Sequence, residues 1–405
     1  MLCMEDMICT GFAPEDNAGS VSAGKYDGVG ESVLTLQNRI ANWGTPWHNV
    51  GNIDMGFPIL EWQLDRGDYA SYGGHDNEPE GDFASGDGTQ NNPYVIANTT
   101  HIQNMSKVLI GKQTTYFVLS ADIDMQGIKW TPLNGDGPYE KWIIFDGRNH
   151  VIRNLTCDSG SYPSFFGVLC GECKNVGFVD ANISSTNQGI GIIAGYVGLN
   201  SGAVGFTGKI INCYNYRNTE KGRGAAGGIG GIFGGNGRIE NCYTTATIID
   251  QINADNGKAG GIIGRFHAGN TTSYIENCYV SGDISATKGG WVGGIVGNMD
   301  SGTLNIKNCV AWSNTLLNNS NQAKIGRIVG GHNNNVTAEN CYAYDGMILK
   351  AGETIFTVSD ETSPSGSSFQ GVAKSANELK NTVTNWDSSL WKEGGNGYPV
   401  FKWSK

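Results

Sequence analysis

Between residues 166 and 330, short apolar runs recur between small residues. The copies read Gly191-Ile192-Ile193-Ala194-Gly195, Gly231-Ile232-Phe233-Gly234, Gly261-Ile262-Ile263-Gly264, Gly294-Ile295-Val296-Gly297 and Arg327-Ile328-Val329-Gly330, after a degenerate Phe166-Gly167-Val168-Leu169. Each full copy is followed by an alternating segment that ends on a second signature. That signature reads Asn212-Cys213-Tyr214, Asn241-Cys242-Tyr243, Asn277-Cys278-Tyr279, Asn308-Cys309-Val310 and Asn340-Cys341-Tyr342, with earlier Cys-less copies at Asn154-Leu155 and Asn175-Val176. Runs this short, rich in Ile, Val, Tyr and Thr and punctuated by Gly, predict strands rather than helices. From Asn212 onward the Asn positions lie 29, 36, 31 and 32 residues apart. Such a period suits one coil of a solenoid with two or three strands and loops of variable length. The predicted fold is all-β, a right-handed parallel β-helix.

Stacked coils place equivalent residues about 4.8 Å apart. Asn212, Asn241, Asn277, Asn308 and Asn340 are then expected to form a ladder of side-chain amides at the coil corners. Cys213, Cys242, Cys278, Cys309 and Cys341 should point inward. Alternation then turns Tyr214, Tyr243, Tyr279 and Tyr342 outward. A stack of exposed tyrosines offers flat apolar faces with hydroxyl edges, a platform on which sugar rings could dock. The glycines beside the Ile pairs are expected to supply positive φ and close contact between coils.

Both ends of the solenoid are predicted to be capped. At the first, Tyr94-Val95-Ile96 reads as a strand, and Asn98 or Thr99 caps a helix burying Ile102, Met105, Val108 and Leu109. Tyr116-Phe117-Val118-Leu119 reads as the next strand. At the other, Ser375-Ala376-Asn377-Glu378 is a capping box before Leu379 and Val383, and Trp386, Trp391 and Trp403 are expected to close the end. The frame Asn-Trp…Trp…Gly-aromatic-Pro-apolar-apolar-charged-Trp occurs at residues 42–62 and again at 385–403. Residues 1–63 therefore read as the tail of a preceding repeat unit and 64–86 as a Gly/Asp/Glu-rich linker. Residues 87–350 read as the β-helix with its N-terminal cap, and 351–405 as the C-terminal capping region.

Composition narrows the partners. Of 405 residues only 16% are charged, and the 61 glycines have no Gly-X-Y period, which excludes collagen. A net charge of −11 without a basic patch argues against nucleic acid. No apolar stretch of about 18 residues offers a membrane span. The opening Met1-Leu2-Cys3-Met4-Glu5-Asp6 is not a signal peptide. Since the start reads as mid-unit, the export signal is expected to lie upstream, and the protein at the cell surface or outside the cell.

Catalytic constellations are not legible. The remaining cysteines are Cys3, Cys9, Cys157, Cys170 and Cys173, and the ladder thiols read as free, because cross-strand disulfides would strain both coils. Cys170-Gly171-Glu172-Cys173 is a lone CxxC without the two further ligands zinc needs. His48, His75, His101, His150, His267 and His332 have no metal spacing, and HExxH, GxSxG and P-loop motifs are absent. No cofactor, metal or catalytic residue is assigned. Asp122 with Asp124, and Asp146 with His150, read as structural. Ile211, Glu240, Glu276, Lys307 and Glu339 form an outward column, where paired acids would suit a glycosidase with carboxylates about 5–9.5 Å apart. A solvated face is the simpler reading. Arg66-Gly67-Asp68 is a weak match to an integrin ligand.

The opening of the second unit is specific enough to compare with a known family. Asp87-Gly88-Thr89…Asn92-Pro93-Tyr94-Val95-Ile96, residues 116–125, Trp130-Thr131-Pro132-Leu133 and Phe145-Asp146-Gly147-Arg148-Asn149-His150-Val151-Ile152-Arg153-Asn154-Leu155 resemble GLUG-repeat surface proteins of Bacteroidetes and Firmicutes. Some of these are described as adhesins or as IgA1-protease-like. The resemblance implies a parallel β-helix, export and adhesion, and brings no catalytic motif. The favoured expectation is an adhesin or glycan-binding protein without catalysis of its own, with a host or dietary glycan or a host surface protein as partner. A β-helical polysaccharide lyase or glycosidase and a passive spacer are the alternatives, and fold alone does not choose among them.

Overall fold

The computed structural model describes residues 82–405, apart from short stretches at 112, 136–138, 140, 186–188, 200–206, 223, 252–256, 288, 320–323 and 334, together with strand backbone at 2–4, 29–31, 47–48 and 59–60. Cys9, the Arg66-Gly67-Asp68 triplet, His75 and most of the expected linker lie outside the described residues. The chain divides into two compact units, Met1–Glu80 and Gly81–Lys405. In the first, Leu2–Met4 pairs in parallel with Val29–Glu31, and Trp47–His48 pairs antiparallel with Ile59–Leu60, Trp47 opposite Leu60. The second unit ends in the same order. Tyr342–Tyr344 pairs in parallel with Val372–Lys374, and Trp391–Glu393 pairs antiparallel with Pro399–Phe401, Trp391 opposite Phe401.

The second unit is a parallel β-helix of about seven turns. One coil runs through strands Gly230–Phe233, Gly237–Glu240, Tyr243–Thr244, Thr247–Asp250 and Lys258–Gly260. Each pairs in parallel with its counterpart in the next coil, for example Ile239 with Ile275 and Tyr243 with Tyr279. Ile210, Ile239, Ile275 and Ile306 fill the interior together with Cys213, Cys242, Cys278, Cys309 and Cys341. These five cysteines are free and buried. The thiol is small enough for the corner and also serves it: Cys242 Sγ donates to Glu240 O at 3.2 Å and to Ile210 O at 3.6 Å.

Asn makes the corner itself. Asn154, Asn175, Asn212, Asn241, Asn277, Asn308 and Asn340 all have φ between 50° and 55°, a left-handed conformation that Asn tolerates better than other side chains. Each amide donates to the preceding rung: Asn340 to Asn308, Asn308 to Asn277, Asn277 to Asn241, Asn241 to Asn212 and Asn212 to Asn175, at 2.9–3.2 Å. The row ends where Asn175 donates to Asp146 Oδ1 at 3.0 Å. An ionised carboxylate accepts without donating, so Asp146 fixes the direction of every amide behind it. Asp124 takes Asn154 in the same way at 2.8 Å.

The glycines of the apolar repeat differ from expectation. Positive φ falls on the Asn corners, and Gly261, Gly264, Gly294 and Gly297 are not among the residues with positive φ. Close approach is their role: a Cβ on Gly297 would lie 2.5 Å from Gly264 O. In the last coil Arg327 takes the place of this motif's first Gly. With no further coil stacked on it, its guanidinium donates to Asp360, Gln370 O and Gly371 O at 2.7–3.0 Å.

The helix at the first end, Thr99–Asn104, is capped by Asn98, whose side chain accepts from His101 N at 2.8 Å. It gives way to a 3-10 turn, Met105–Val108. Ile102, Met105 and Leu109 are buried. The helix Ala376–Thr384 carries the capping box between Ser375 and Glu378, and buries Leu379 and Val383.

Candidate functional site

The residue after each ladder Cys stands on the outer face, and there the structure departs from expectation. Tyr214, Tyr243 and Tyr279 do stack as parallel rings, with centroids 5.1 Å apart and planes within 5°. They are not a platform open to solvent, since each is at most 1% exposed. Val310 interrupts the column, and Tyr342 beyond it is half-buried beneath the Lys374 ammonium, 3.4 Å from the ring centroid. Gly177 lies ahead of Tyr214 in the same column, and a Cβ there would meet the Tyr214 ring at 2.3 Å.

The cover is the C-terminal segment, so the expected position of the Trp cluster is also corrected. It does not close the last coil. That end is covered instead by Phe369, paired with Val329, and by the bonds of Arg327. After its helix the segment runs back across the coils. Tyr398 packs on Trp312, Tyr279 Oη donates to Pro399 O, Tyr243 Oη meets Ser404 Oγ at 2.8 Å, and Lys405 N donates to Tyr214 Oη at 3.3 Å. Trp391, Phe401 and Trp403 rest against the three tyrosines. The aromatic column is thus one half of a second hydrophobic core outside the solenoid. Burial pushes the phenols of Tyr214, Tyr243 and Tyr279 above their usual pKa.

The cover leaves a cleft of about 690 Å³ beside Tyr214 and Tyr243, a volume in the range of small-ligand sites. The half-buried Tyr216 lines it, with the Arg217 guanidinium 5.2 Å above its ring. Arg153, Lys392 and Lys405 line it too, and Gly394-Gly395-Asn396 forms part of its rim. Arg153 comes from the strand Trp142–Arg153 and sits in register with Val179, itself in register with Tyr216. Neither the repeat nor the composition marked this place, because its cationic residues come from distant coils and from the returning segment.

Elsewhere the candidate chemistry is tied down. Arg238 bridges Glu240 at 3.1 Å and Glu276 at 2.8 Å, and Lys307 pairs with Glu339 at 3.3 Å. Each of the outward acids is therefore held in an ion pair, two of them sharing Arg238. Asp122 accepts from Val151 N, His150 Nδ1 and Lys405 Nζ. Cys170 and Cys173 are both buried, in separate clusters, and burial pushes the Cys170 thiol up to about 12. Among the described residues no group of three or more His, Cys, Asp or Glu could hold a metal ion, and no helix is long and apolar enough to cross a membrane.

A stack of parallel coils with an amide ladder, an inner thiol row and a covered outer aromatic row defines a parallel β-helix protein with a folded-back cap. A crystal structure of a Bacteroides ovatus protein, provisionally named an immunoglobulin A1 protease, is similar at 49% identity and a TM-score of 0.76, covering 80% of this chain and 96% of that one. The chain belongs to the same family, the IgA1-protease-like β-helix proteins. It is also 25% identical over 327 residues, 73% of its length, to halomucin of Haloquadratum walsbyi, and it spans 3% of the length of that relative. No family model matches the chain.

Proposed function

We propose that this chain is a surface or secreted glycan-binding β-helix of the adhesin type, without catalysis of its own. The cleft under the cap carries the reading. It joins a partly exposed tyrosine, several cationic side chains and a glycine-rich rim on a rigid stack of coils. Sugar sites use this combination of apolar ring and convergent polar groups. Likeness to halomucin supports a surface location. GLUG-type repeats, which the opening of the unit resembles, fit the same role, with a host or dietary glycan as partner.

The name of the Bacteroides relative raises proteolysis. Among the described residues one Ser–His contact is present, Ser301 Oγ to His267 Nδ1 at 3.0 Å. Ser301 Oγ also accepts from Gly269 N at 3.2 Å. No carboxylate bonded to His267 is found among the described residues, so the group that orients the base in a triad is missing. Binding is the better supported role.

Immobilised full-length chain on a glycan array tests the proposal. We expect retention of a limited set of glycans, weakened by Tyr216→Ala at an unchanged melting temperature. An array without retained glycans would refute it. Tyr243 and Tyr279 are unsuited to this test, because truncating them would undo the cap.

A further inference from the structure

Resting on the glycan-binding reading, we infer that the cleft takes a sugar ring bearing a carboxylate, held by Arg153 and Lys392. The charge balance of the lining points there. Arg217 is matched by Asp180 at 2.7 Å, Lys405 by Asp122 at 2.7 Å, and Glu393 by Lys380 at 2.9 Å. Arg153 and Lys392 have no carboxylate partner among the described residues, and both line the cleft. Two unmatched cations thus line one concavity of a protein whose net charge is −11.

Their donors are largely uncommitted. Lys392 Nζ spends one of its three on Lys402 O at 3.0 Å. The Arg153 guanidinium has no side-chain hydrogen bond among the described residues, and its planar fork suits a bidentate carboxylate. On the rim, Asn396 Oδ1 accepts from Tyr398 N at 3.3 Å, which leaves the amide NH2 for a sugar hydroxyl. Tyr216 supplies the apolar surface a pyranose ring needs. A neutral sugar would leave the two cations unused. A bare anion would leave the aromatic wall and the amide unused.

Calorimetry on the full chain decides the matter with two acidic probes, trigalacturonate and 3′-sialyllactose, and their neutral counterparts, the methyl esters of both. At least one acidic probe should bind at least tenfold more tightly than its neutral counterpart. Arg153→Gln with Lys392→Gln should remove that preference while the melting temperature stays the same. Arg153→Lys, which keeps the charge but not the fork, should fall between. Equal binding of acid and neutral forms would overturn the inference and leave the glycan reading standing. So would binding of inorganic sulfate as tight as that of the sugars. Failure of both acidic probes, on a chain that retains neutral glycans on the array, would also overturn it. An array without any retained glycan would take the glycan reading down as well.

Discussion

Replacing Glu220 should stabilise this protein, by an amount that depends on pH. Glu220 lies in the strand Thr219–Gly222, in register with Ile183 on one side and Ile248 on the other. It is fully buried, and neither carboxylate oxygen has a hydrogen-bond partner among the described residues. Burial, with a smaller push from Asp250, raises its pKa well above the ordinary glutamate value. The folded state thus keeps the proton that the unfolded chain releases above about pH 4.3. Below that pH its titration costs folding nothing. Above it, stability is lost by about 1.4 kcal/mol per pH unit until the folded carboxyl itself ionises. Glu220→Gln keeps the shape and abolishes the titration. Urea unfolding of both proteins at pH 5 and pH 7 should show the stability difference moving in favour of the variant at the higher pH, by at most about 1.4 kcal/mol per pH unit. Glu220→Met should gain further, since a neutral unpartnered polar group still costs about 1–3 kcal/mol when buried. A difference that stays flat with pH, or a variant less stable at pH 7, would show that Glu220 is ionised and partnered, and the reasoning would fail.

Other perturbations follow from the same geometry. Asn277→Gly keeps the left-handed corner and removes two ladder bonds, so equilibrium unfolding should show a loss of about 1–3 kcal/mol; Asn277→Ala should add about 1–2 kcal/mol for the strained φ. In a Cys3→Ser, Cys9→Ser background, the eight thiols that are buried should resist an aromatic disulfide reagent in the native state and react fully in denaturant. Arg327→Met should cost about 1.5–3 kcal/mol in thermal unfolding, because Asp360 and two carbonyls lose a charged donor. Trimming the chain after residue 385 should expose the tyrosine column and raise binding of a hydrophobic dye, whereas an unchanged dye signal would show that the column has another cover.

The coil was legible because its signals are local. Asn-Cys-Tyr at steps near 30 residues states period, corner and inward side together, and the amide ladder realises it. The capping box at Ser375 was legible for the same reason, since both partners lie within one helical turn. What could not be read is which distant segment lies on an outward face. Alternation turns Tyr243 away from the coil but says nothing of whether solvent or protein meets it there. The signal was nevertheless present in composition. Trp386, Trp391 and Trp403, with Phe401 and Tyr398, cluster between residues 386 and 403, and so much aromatic surface needs an apolar face to cover. The stacked tyrosines are that face.

The same limit explains the cleft. Arg153 and Lys392 are separated by more of the sequence than any repeat spans, and each alone reads as an ordinary surface cation. They line one cleft only because the segment after Ala376–Thr384 doubles back over the coils that precede it. A binding face on a solenoid is usually sought along the repeated strands, where ladder positions multiply one contact. Here the repeated outer aromatic row is consumed in holding the cap, and the outer acids are consumed by Arg238 and Lys307. The uncommitted chemistry lies at the seam between repeat and cap, where the sequence does not repeat. Specificity in this family should therefore vary with the residues of the returning segment and its turn, while the Asn, Cys and Tyr rows hold the scaffold that presents them.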